Sequence, residues 1–116
     1  MALPHAQPLD VIDVRPLAAG LRAEVTTSLL KTPELQLMRL VLRSGAGLPE
    51  HRVPGAITIH CLEGEAAVTT PTSRCELAAG RLVMLAGDEP HAVTAITDAS
   101  LLVTVVHPGR PGAAAV

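Results

Sequence analysis

The chain has 116 residues and contains no phenylalanine, tyrosine or tryptophan. Its core must therefore be built from Leu, Val, Ile, Ala and Met, and any pocket in it lacks an aromatic wall. Sugars stacked on a ring and cations held in an aromatic cage both need such walls. Both kinds of recognition are therefore disfavoured.

An excess of positive charge is missing as well. Nine Lys and Arg residues against eleven Asp and Glu residues give a net charge of −2 with the histidines neutral. Nucleic acids and anionic membranes are bound through clusters of basic side chains, and single strands are often stacked on aromatic side chains. We therefore expect neither a nucleic acid nor a membrane as partner.

Long apolar runs and a secretion signal are not found either. No apolar run is long enough to cross a bilayer, and the N-terminal sequence MALPHAQPLD lacks the basic and apolar regions of a signal peptide. The chain has only two cysteines, Cys61 and Cys75. We therefore expect a cytoplasmic protein with two reduced thiols, which act as small buried hydrophobic side chains.

What the chain does contain is a series of short β-rich segments separated by Gly and Pro turns. Its length suits one domain with a single core. Turns at a spacing of 8–12 residues, with alternating or β-branched apolar residues between them, predict eight or nine strands in a sandwich or barrel and no helix. The predicted strands are 24–31, 34–43, 56–62, 66–70, 74–77, 82–85, 91–96 and 101–106, with 10–14 as a candidate edge strand.

Two stretches of the chain lead from a glycine through a turn to a histidine. The first leads from Gly45 to His51 and closes at Gly64, and the second leads from Gly80 to His91. These spacings resemble the two sequence motifs of the cupins. The chain is accordingly identified as similar to a small single-domain bacterial cupin of the RmlC-like type.

The resemblance implies an all-β fold, the cupin-type jelly-roll barrel that is also called a double-stranded β-helix. The chain then divides into an N-terminal arm at 1–19 with an edge or swapped strand, a cupin domain at 20–107 and a C-terminal tail at 108–116. Small jelly rolls have exposed strand edges that can pair with a second chain. We therefore expect a homodimer in which residues 10–14 of the arm pair with the neighbour's sheet.

The resemblance also implies a metal site, which is incomplete in this chain. Metal-binding cupins use two histidines and a glutamate of the first motif and a histidine of the second. His51 and His91 match two of these ligands, whereas Val53 and Ile57 stand where the other histidine and the glutamate belong. Divalent metals such as Fe, Ni, Zn or Mn usually need at least three protein ligands. His51 and His91 alone therefore predict weak, exchangeable metal binding.

Strand alternation adds further candidates. If residues 51, 53 and 57 point into the barrel, Cys61 also points inward and His60 points outward. A β-bulge near Pro54 and Gly55 would reverse this parity and make His60 a third metal ligand. The predicted binding pocket consists of His51, Val53, Ile57, Cys61 and His91.

Three functions remain open at this point. The first is small-molecule binding at a small polar site around His51 and His91, because a few polar groups within apolar walls are typical of ligand sites. The second is a metal-dependent cupin enzyme of the dioxygenase, isomerase or decarboxylase type, with a third ligand that the sequence does not identify. The third is a structural dimerisation module without chemistry. The missing histidine and glutamate favour the first function over the second.

Overall fold

The computed structural model describes residues 5–23 and 26–108. Most of the predicted tail, and the first two residues of the predicted strand 24–31, lie outside these ranges. The elements are a short 3₁₀ helix (Ala18–Ala23) and the strands β1 (Thr27–Lys31), β2 (Leu35–Leu42), β3 (Gly47–His51), β4 (Ile57–Glu63), β5 (Glu65–Thr69), β6 (Arg74–Ala78), β7 (Leu82–Leu85), β8 (His91–Ala95) and β9 (Ala99–Val106).

The strands form two antiparallel sheets that pack face to face. Sheet A has five strands in the order β1-β2-β9-β4-β7, and sheet B has four strands in the order β3-β8-β5-β6. The chain crosses repeatedly between the two sheets, for example at the turn from β4 to β5. The predicted all-β jelly-roll fold is therefore confirmed. In the described ranges, no helix is long and apolar enough to span a membrane.

Alternating side chains fill the space between the sheets, as expected for strands with one buried face. On β4, Ile57, Ile59 and Cys61 are at most 5% exposed, while the residues between them are half-buried. On the facing sheet, the inward positions of β8 are likewise buried, from His91 to Ala95. The core is made of aliphatic and sulfur-containing side chains, as the lack of aromatic residues requires.

One strand, β3, lies where the sequence pattern predicts no strand. Its sequence GLPEH contains Gly47 and Pro49, two residue types that are depleted in strands. Proline is tolerated here because β3 is an edge strand of sheet B. Glycine is needed at position 47 because a Cβ atom there would overlap the carbonyl oxygen of Val93 on β8. These two long-range reasons are invisible in the local sequence.

The N-terminal arm forms no strand at 10–14, contrary to the prediction. Arg39 on β2 is 8% exposed, and its Nη2 donates hydrogen bonds to the carbonyl oxygens of Asp13 at 3.4 Å and Arg15 at 3.0 Å. The arm is therefore held on the outer face of sheet A by a side chain of the sheet, instead of by a strand ladder. After the arm, the 3₁₀ helix begins at Ala18.

Glu63, at the end of β4, holds the arm where the 3₁₀ helix begins. Its carboxylate accepts hydrogen bonds from the backbone N–H groups of Leu17 at 2.7 Å and Ala18 at 2.9 Å. It also accepts one from the hydroxyl of Ser100 at 2.8 Å. Burial acts to raise the pKa of this carboxyl, but the three hydrogen bonds outweigh it and lower the pKa below its usual value.

Candidate functional site

The fold brings His51 and His91 into contact. His51 is the last residue of β3, His91 is the first of β8, and the two are direct partners in the antiparallel pair. Their ring centroids are 4.4 Å apart and the ring planes are tilted by 58°. His91 is only 1% exposed, whereas His51 is exposed on the edge strand. One buried imidazole therefore lies next to an imidazole that solvent can reach.

Two loops next to these histidines are fastened to each other. The backbone N–H of Asp88, in the loop before β8, donates a hydrogen bond to the carbonyl oxygen of Val53 at 2.7 Å. Gly87 lies so close to the carbonyl oxygen of Pro54 that a Cβ atom at this position would clash with it. Because one loop follows β3 and the other precedes β8, this contact fixes the separation of the two rings.

Both rings are oriented by the backbone of their own segment. Nδ1 of His51 lies 3.0 Å from the carbonyl oxygen of Pro49, and Nδ1 of His91 lies 2.9 Å from that of Glu89. A carbonyl oxygen can only accept, so Nδ1 carries the proton and Nε2 of the neutral ring has a free lone pair. Within the described ranges, neither Nε2 has a hydrogen-bond partner in the protein. The pair therefore presents two hydrogen-bond acceptors on neighbouring rings.

A cavity of about 250 Å³ opens at the same end of the barrel, between β5, β6 and β7. Its apolar part is formed by Val68, Val83 and Leu85. The remainder is polar or weakly polar, and consists of Thr70, Thr72, Ser73, Arg74, Cys75 and Glu89.

The cavity adjoins the imidazole pair across sheet B. In the β5–β8 pair, Thr69 is opposite Ala92, so the next position of the same register places Thr70 opposite His91. Glu89 lines the cavity and also provides the carbonyl oxygen that accepts from His91 Nδ1. We therefore treat the two imidazoles and this cavity as one candidate site.

The other predicted pocket residues are distributed differently. Val53 is half-buried against the core, and Ile57 is 5% exposed within it, so both provide apolar surroundings. Cys61 is fully buried, and its Sγ donates to the carbonyl oxygens of Glu63 and Gly64, each at 3.4 Å. Burial raises the pKa of this thiol.

Cys61 lies at the opposite end of the barrel from the two imidazoles. The turn at Gly64 packs against the backbone of Asp98 and Ala99, which follow the end of β8, whereas His91 begins β8. The ends of a five-residue strand are about 13 Å apart at the usual rise per residue. The structure therefore does not bring Cys61 to the candidate site.

His60 does not join the imidazole pair either. It lies on the outer face of sheet A, opposite Leu82 on β7 and Leu102 on β9. The register irregularity of β4 comes after Cys61 and not near Pro54, so the parity of β4 is not reversed before His60.

The donor atoms present do not fit a resident divalent metal. Val53 and Ile57 have no atom that could bind one, and the described residues contain no group of three or more His, Cys, Asp or Glu side chains that could hold an ion. Structural and catalytic sites for such metals usually have at least three protein ligands. Two imidazole nitrogens support only weak binding.

Sequence reasoning missed the cavity residues on β5 and β6. Cys75 precedes the buried Leu77 by two positions on β6, and Thr70 follows the buried Val68 by two positions at the end of β5. Period-two alternation could have placed both side chains on the inner face of sheet B. It could not have shown that a cavity opens beside them.

Comparisons with known proteins agree with this architecture. The family model described as "Cupin domain" matches residues 38–107. A conserved protein of unknown function from Streptococcus pyogenes is 22% identical, with a TM-score of 0.73, over 94% of this chain and 96% of that one. An RmlC-like cupin from Desulfovibrio desulfuricans is 20% identical, with a TM-score of 0.66, over 90% and 96%.

The same fold occurs inside a longer protein. An HTH_3 family transcriptional regulator from Vibrio cholerae is 23% identical, with a TM-score of 0.64, over 72% of this chain and 51% of that one. At these identities the likeness concerns the fold alone. A comparison of the chain with curated proteins finds no match.

Proposed function

Since this chain belongs to the cupin family, we propose that its barrel binds a small molecule that donates hydrogen bonds to His51 and His91. The expected resemblance to small RmlC-like cupins is confirmed. The proposal on ligand binding goes further than the family, because cupins of similar fold have varied roles. It rests on the geometry of this chain's own site.

The observation that carries the proposal is the pair of free Nε2 lone pairs beside a cavity. His91 is 1% exposed, and its Nε2 has no partner among the described residues. A ligand that donates a hydrogen bond could use this free lone pair, and a second donor on the same ligand could reach His51.

The cavity limits what that ligand can be. Its volume of about 250 Å³ lies below the usual range for sites that take drug-sized molecules. Val68, Val83 and Leu85 offer an aliphatic surface, and the chain has no Phe, Tyr or Trp ring on which a planar ligand could stack. The best fit is a small aliphatic molecule with one or two hydroxyl or amine groups.

The metal-dependent enzyme is the weaker candidate. In its favour, the Nδ1 of each ring is hydrogen-bonded to a backbone carbonyl oxygen and the Nε2 is free. Metal-binding histidines commonly have this orientation. Against it stands the lack of a third donor among the described residues. Elemental analysis separates the two candidates. Stoichiometric iron, nickel, zinc or manganese that is lost in His51→Ala would support the enzyme, and less than a tenth of an equivalent would count against it.

A thermal-shift screen tests the binding proposal. The probes are small aliphatic alcohols, diols and amines, each paired with the carboxylate of the same carbon skeleton. A ligand at tenfold its dissociation constant stabilises the folded state by about 1.4 kcal/mol, which corresponds to a shift of a few degrees. His51→Ala should abolish the shift, and because His51 is exposed this variant should still fold.

The matched control is His107→Ala, which removes an imidazole outside the site. This variant should retain the shift. A response to the carboxylates alone, or a full response in His51→Ala, would contradict the proposal.

A further inference from the structure

A cleft of about 360 Å³ lies between the N-terminal arm and strand β1. Its polar side chains include those of His5, Asp10 and Ser28. The cleft is at one edge of sheet A, because β1 is the outermost strand in the order of that sheet. The imidazole pair of the candidate site is on sheet B, so this cleft is a separate place in the fold.

A hydroxyl group and an imidazole are in contact inside this cleft. Nε2 of His5 lies 3.0 Å from Oγ of Ser28. The side-chain amide of Gln36, on β2, donates a hydrogen bond to the same Oγ at 3.1 Å. Because an amide nitrogen can only donate, this bond occupies a lone pair of Oγ and leaves the hydroxyl proton for another acceptor. With its own proton on Nδ1, the ring of His5 provides that acceptor at Nε2.

Backbone hydrogen bonds fix the position of His5 against β1. The N–H of the next residue, Ala6, donates to the carbonyl oxygen of Leu29 at 3.0 Å. The chain then makes a tight turn, in which the N–H of Asp10 donates to the carbonyl oxygen of Gln7 at 2.9 Å. The N–H of Gln7 in turn donates to the carboxylate of Asp10 at 2.7 Å. The imidazole is therefore carried by a segment that is bonded to the strand and to itself.

This turn contains backbone strain. Leu9 has a φ of 72°, in the left-handed region that is unfavourable for a residue with a Cβ atom. Strained backbone persists only where surrounding bonds hold it, and it is concentrated at ligand and active sites. Here the strained turn returns the Asp10 carboxylate to the cleft that contains His5 and Ser28.

Strand β1 is also irregular next to Ser28. Its pairing with β2 shifts between Ser28 and Leu30, so Leu29 is an extra residue in the ladder. Such bulges bend a strand and redirect its side chains, and they are frequent at sheet edges and next to active sites. The carbonyl oxygen of Leu29 accepts the hydrogen bond that attaches the arm. The bulge therefore places Ser28 where the arm and the strand meet.

We propose that Ser28 and His5 act as a nucleophile and its general base, and that they hydrolyse small carboxylic esters in this cleft. A hydroxyl group bonded to an imidazole is the arrangement that activates a serine nucleophile. Ser28 is half-buried and His5 is exposed, so a substrate can approach the pair from solvent. The proposal is independent of ligand binding at the imidazole pair.

The reaction has two balanced steps. Oγ of Ser28 attacks the carbonyl carbon of the ester while its proton passes to Nε2 of His5, and the alcohol then leaves with that proton. Water next attacks the acyl group on Ser28, gives a proton to His5 and releases the carboxylic acid, and the proton returns to Oγ. The amide of Gln36 supports the negative charge that develops on Oγ, and the carboxylate of Asp10 favours the imidazolium by its charge.

The residues that line the cleft limit the substrate. Val11, Ile12 and Leu29 offer an apolar surface for a short acyl chain. Asp10 brings a negative charge, and no Lys or Arg is among the described residues that line the cleft. An anionic substrate is therefore repelled. The expected class is a neutral or cationic ester with a short aliphatic acyl group.

Hydrolysis of p-nitrophenyl acetate and butyrate by the full chain tests the activity. Ser28→Ala and His5→Gln should each lower kcat/KM by about 100-fold or more, the contribution of a positioned base. The matched control is His107→Ala, which removes an imidazole outside the cleft and should keep the wild-type rate. The p-nitrophenyl half-ester of succinate, which carries a carboxylate, should react about tenfold more slowly than the butyrate ester. Melting temperatures check that all variants fold.

A wild-type rate no higher than that of buffer would overturn the proposal. So would an unchanged rate in Ser28→Ala or His5→Gln, or an equal loss in His107→Ala. Loss of hydrolysis in His51→Ala with full activity in Ser28→Ala would place the reaction at the imidazole pair and would also overturn it.

A fluorophosphonate probe identifies the nucleophile directly. Oγ of an activated serine forms a bond to phosphorus, the P–F bond breaks, and fluoride leaves as the base takes the hydroxyl proton. Mass spectrometry should find the adduct on Ser28 in the wild type and none in His5→Gln. A wild-type chain labelled elsewhere, or a Ser28 adduct that forms equally fast in His5→Gln, would contradict the assignment.

Two further variants separate chemistry from attachment of the arm. Gln36→Met removes the donor to Oγ and should lower kcat while KM stays unchanged, since the amide acts on the nucleophile and not on the bound ester. Ser28→Cys keeps a nucleophile at this position and should still release nitrophenol in an initial burst. If the bonds of Ser28 only attach the arm, Gln36→Met leaves kcat unchanged and Ser28→Cys shows no burst, and either result would refute the proposal.

Discussion

Replacing Glu63 by glutamine should release the N-terminal arm from the barrel. The carboxylate of Glu63 accepts hydrogen bonds from Leu17, Ala18 and Ser100, and it uses both of its oxygens to do so. Glutamine has nearly the same shape but only one oxygen, and its amide group donates. In Glu63→Gln, at least one of the three donors therefore faces another donor.

The size of the effect follows from the type of bond that is lost. A hydrogen bond to a charged acceptor contributes about 1.5–3 kcal/mol, roughly twice the contribution of a neutral one. Glu63 is half-buried, so water can partly replace the lost bond. We expect Glu63→Gln to lower the free energy of unfolding by about 2 kcal/mol, which corresponds to a fall of about 8 °C in the melting temperature for a chain of this length.

The effect should depend on pH with a defined sign. The hydrogen bonds hold the pKa of the Glu63 carboxyl below its ordinary value of 4.5 in the folded state. A carboxyl with a lowered folded pKa stabilises the protein above its unfolded pKa, and this contribution is lost as the pH falls through the folded pKa. The stability difference between wild type and Glu63→Gln should therefore be complete at neutral pH and shrink below about pH 4.5.

Urea unfolding at several pH values measures this difference, and hydrogen exchange at the amides of Leu17 and Ala18 reports on the arm directly. Glu76→Gln is the matched control, because Glu76 is exposed and contacts Arg74 only at the surface. The control should change stability by less than about 0.5 kcal/mol. Equal effects of the two substitutions, or unchanged exchange at Leu17 and Ala18, would refute the reasoning.

Two further predictions concern the barrel itself. Gly47→Ala should destabilise the protein by about 2 kcal/mol or more and disorder the β3–β8 pair, because the added Cβ would overlap the Val93 carbonyl oxygen. Urea unfolding measures the loss of stability. The control is Gly20→Ala, because a Cβ at that position meets nothing within 4 Å. The half-buried thiol of Cys75 should react with a thiol reagent in the folded protein, whereas Cys61, which is buried and has a raised pKa, should react only on unfolding. Faster labelling of Cys61, or an equal loss of stability in the two glycine variants, would count against the structure.

Strands whose side chains alternate could be predicted from the sequence because their signal is local. β4 shows this, since its alternation of buried and half-buried residues can be read directly from the order of side chains. β3 could not be predicted in this way. Its Gly47 and Pro49 are explained by the carbonyl oxygen of Val93 and by the edge position of the strand, and both depend on the rest of the sheet.

The candidate site, like the fold, could be predicted only in part from the sequence. The contact of His51 with His91 could be expected because the spacings of these residues resemble the two cupin motifs. The alternation of side chains along a strand correctly placed Cys61 on the inward face. Alternation, however, predicts which face of the sheet a side chain lies on and not its position along the barrel axis. It could therefore not show that Cys61 lies far from the imidazoles. The cavity beside Thr70 depends on the register between β5 and β8, which local sequence does not encode.

The central claim is that His51 and His91 together present two free Nε2 acceptors to a ligand. Long-range ¹H–¹⁵N correlation spectra of the imidazoles in mildly alkaline buffer test it directly. Both rings should carry their proton on Nδ1, and both Nε2 signals should shift when a small diol or amine that stabilises the protein is added. A proton on Nε2 of either ring, or a ligand that stabilises the protein without moving either Nε2 signal, would contradict the account.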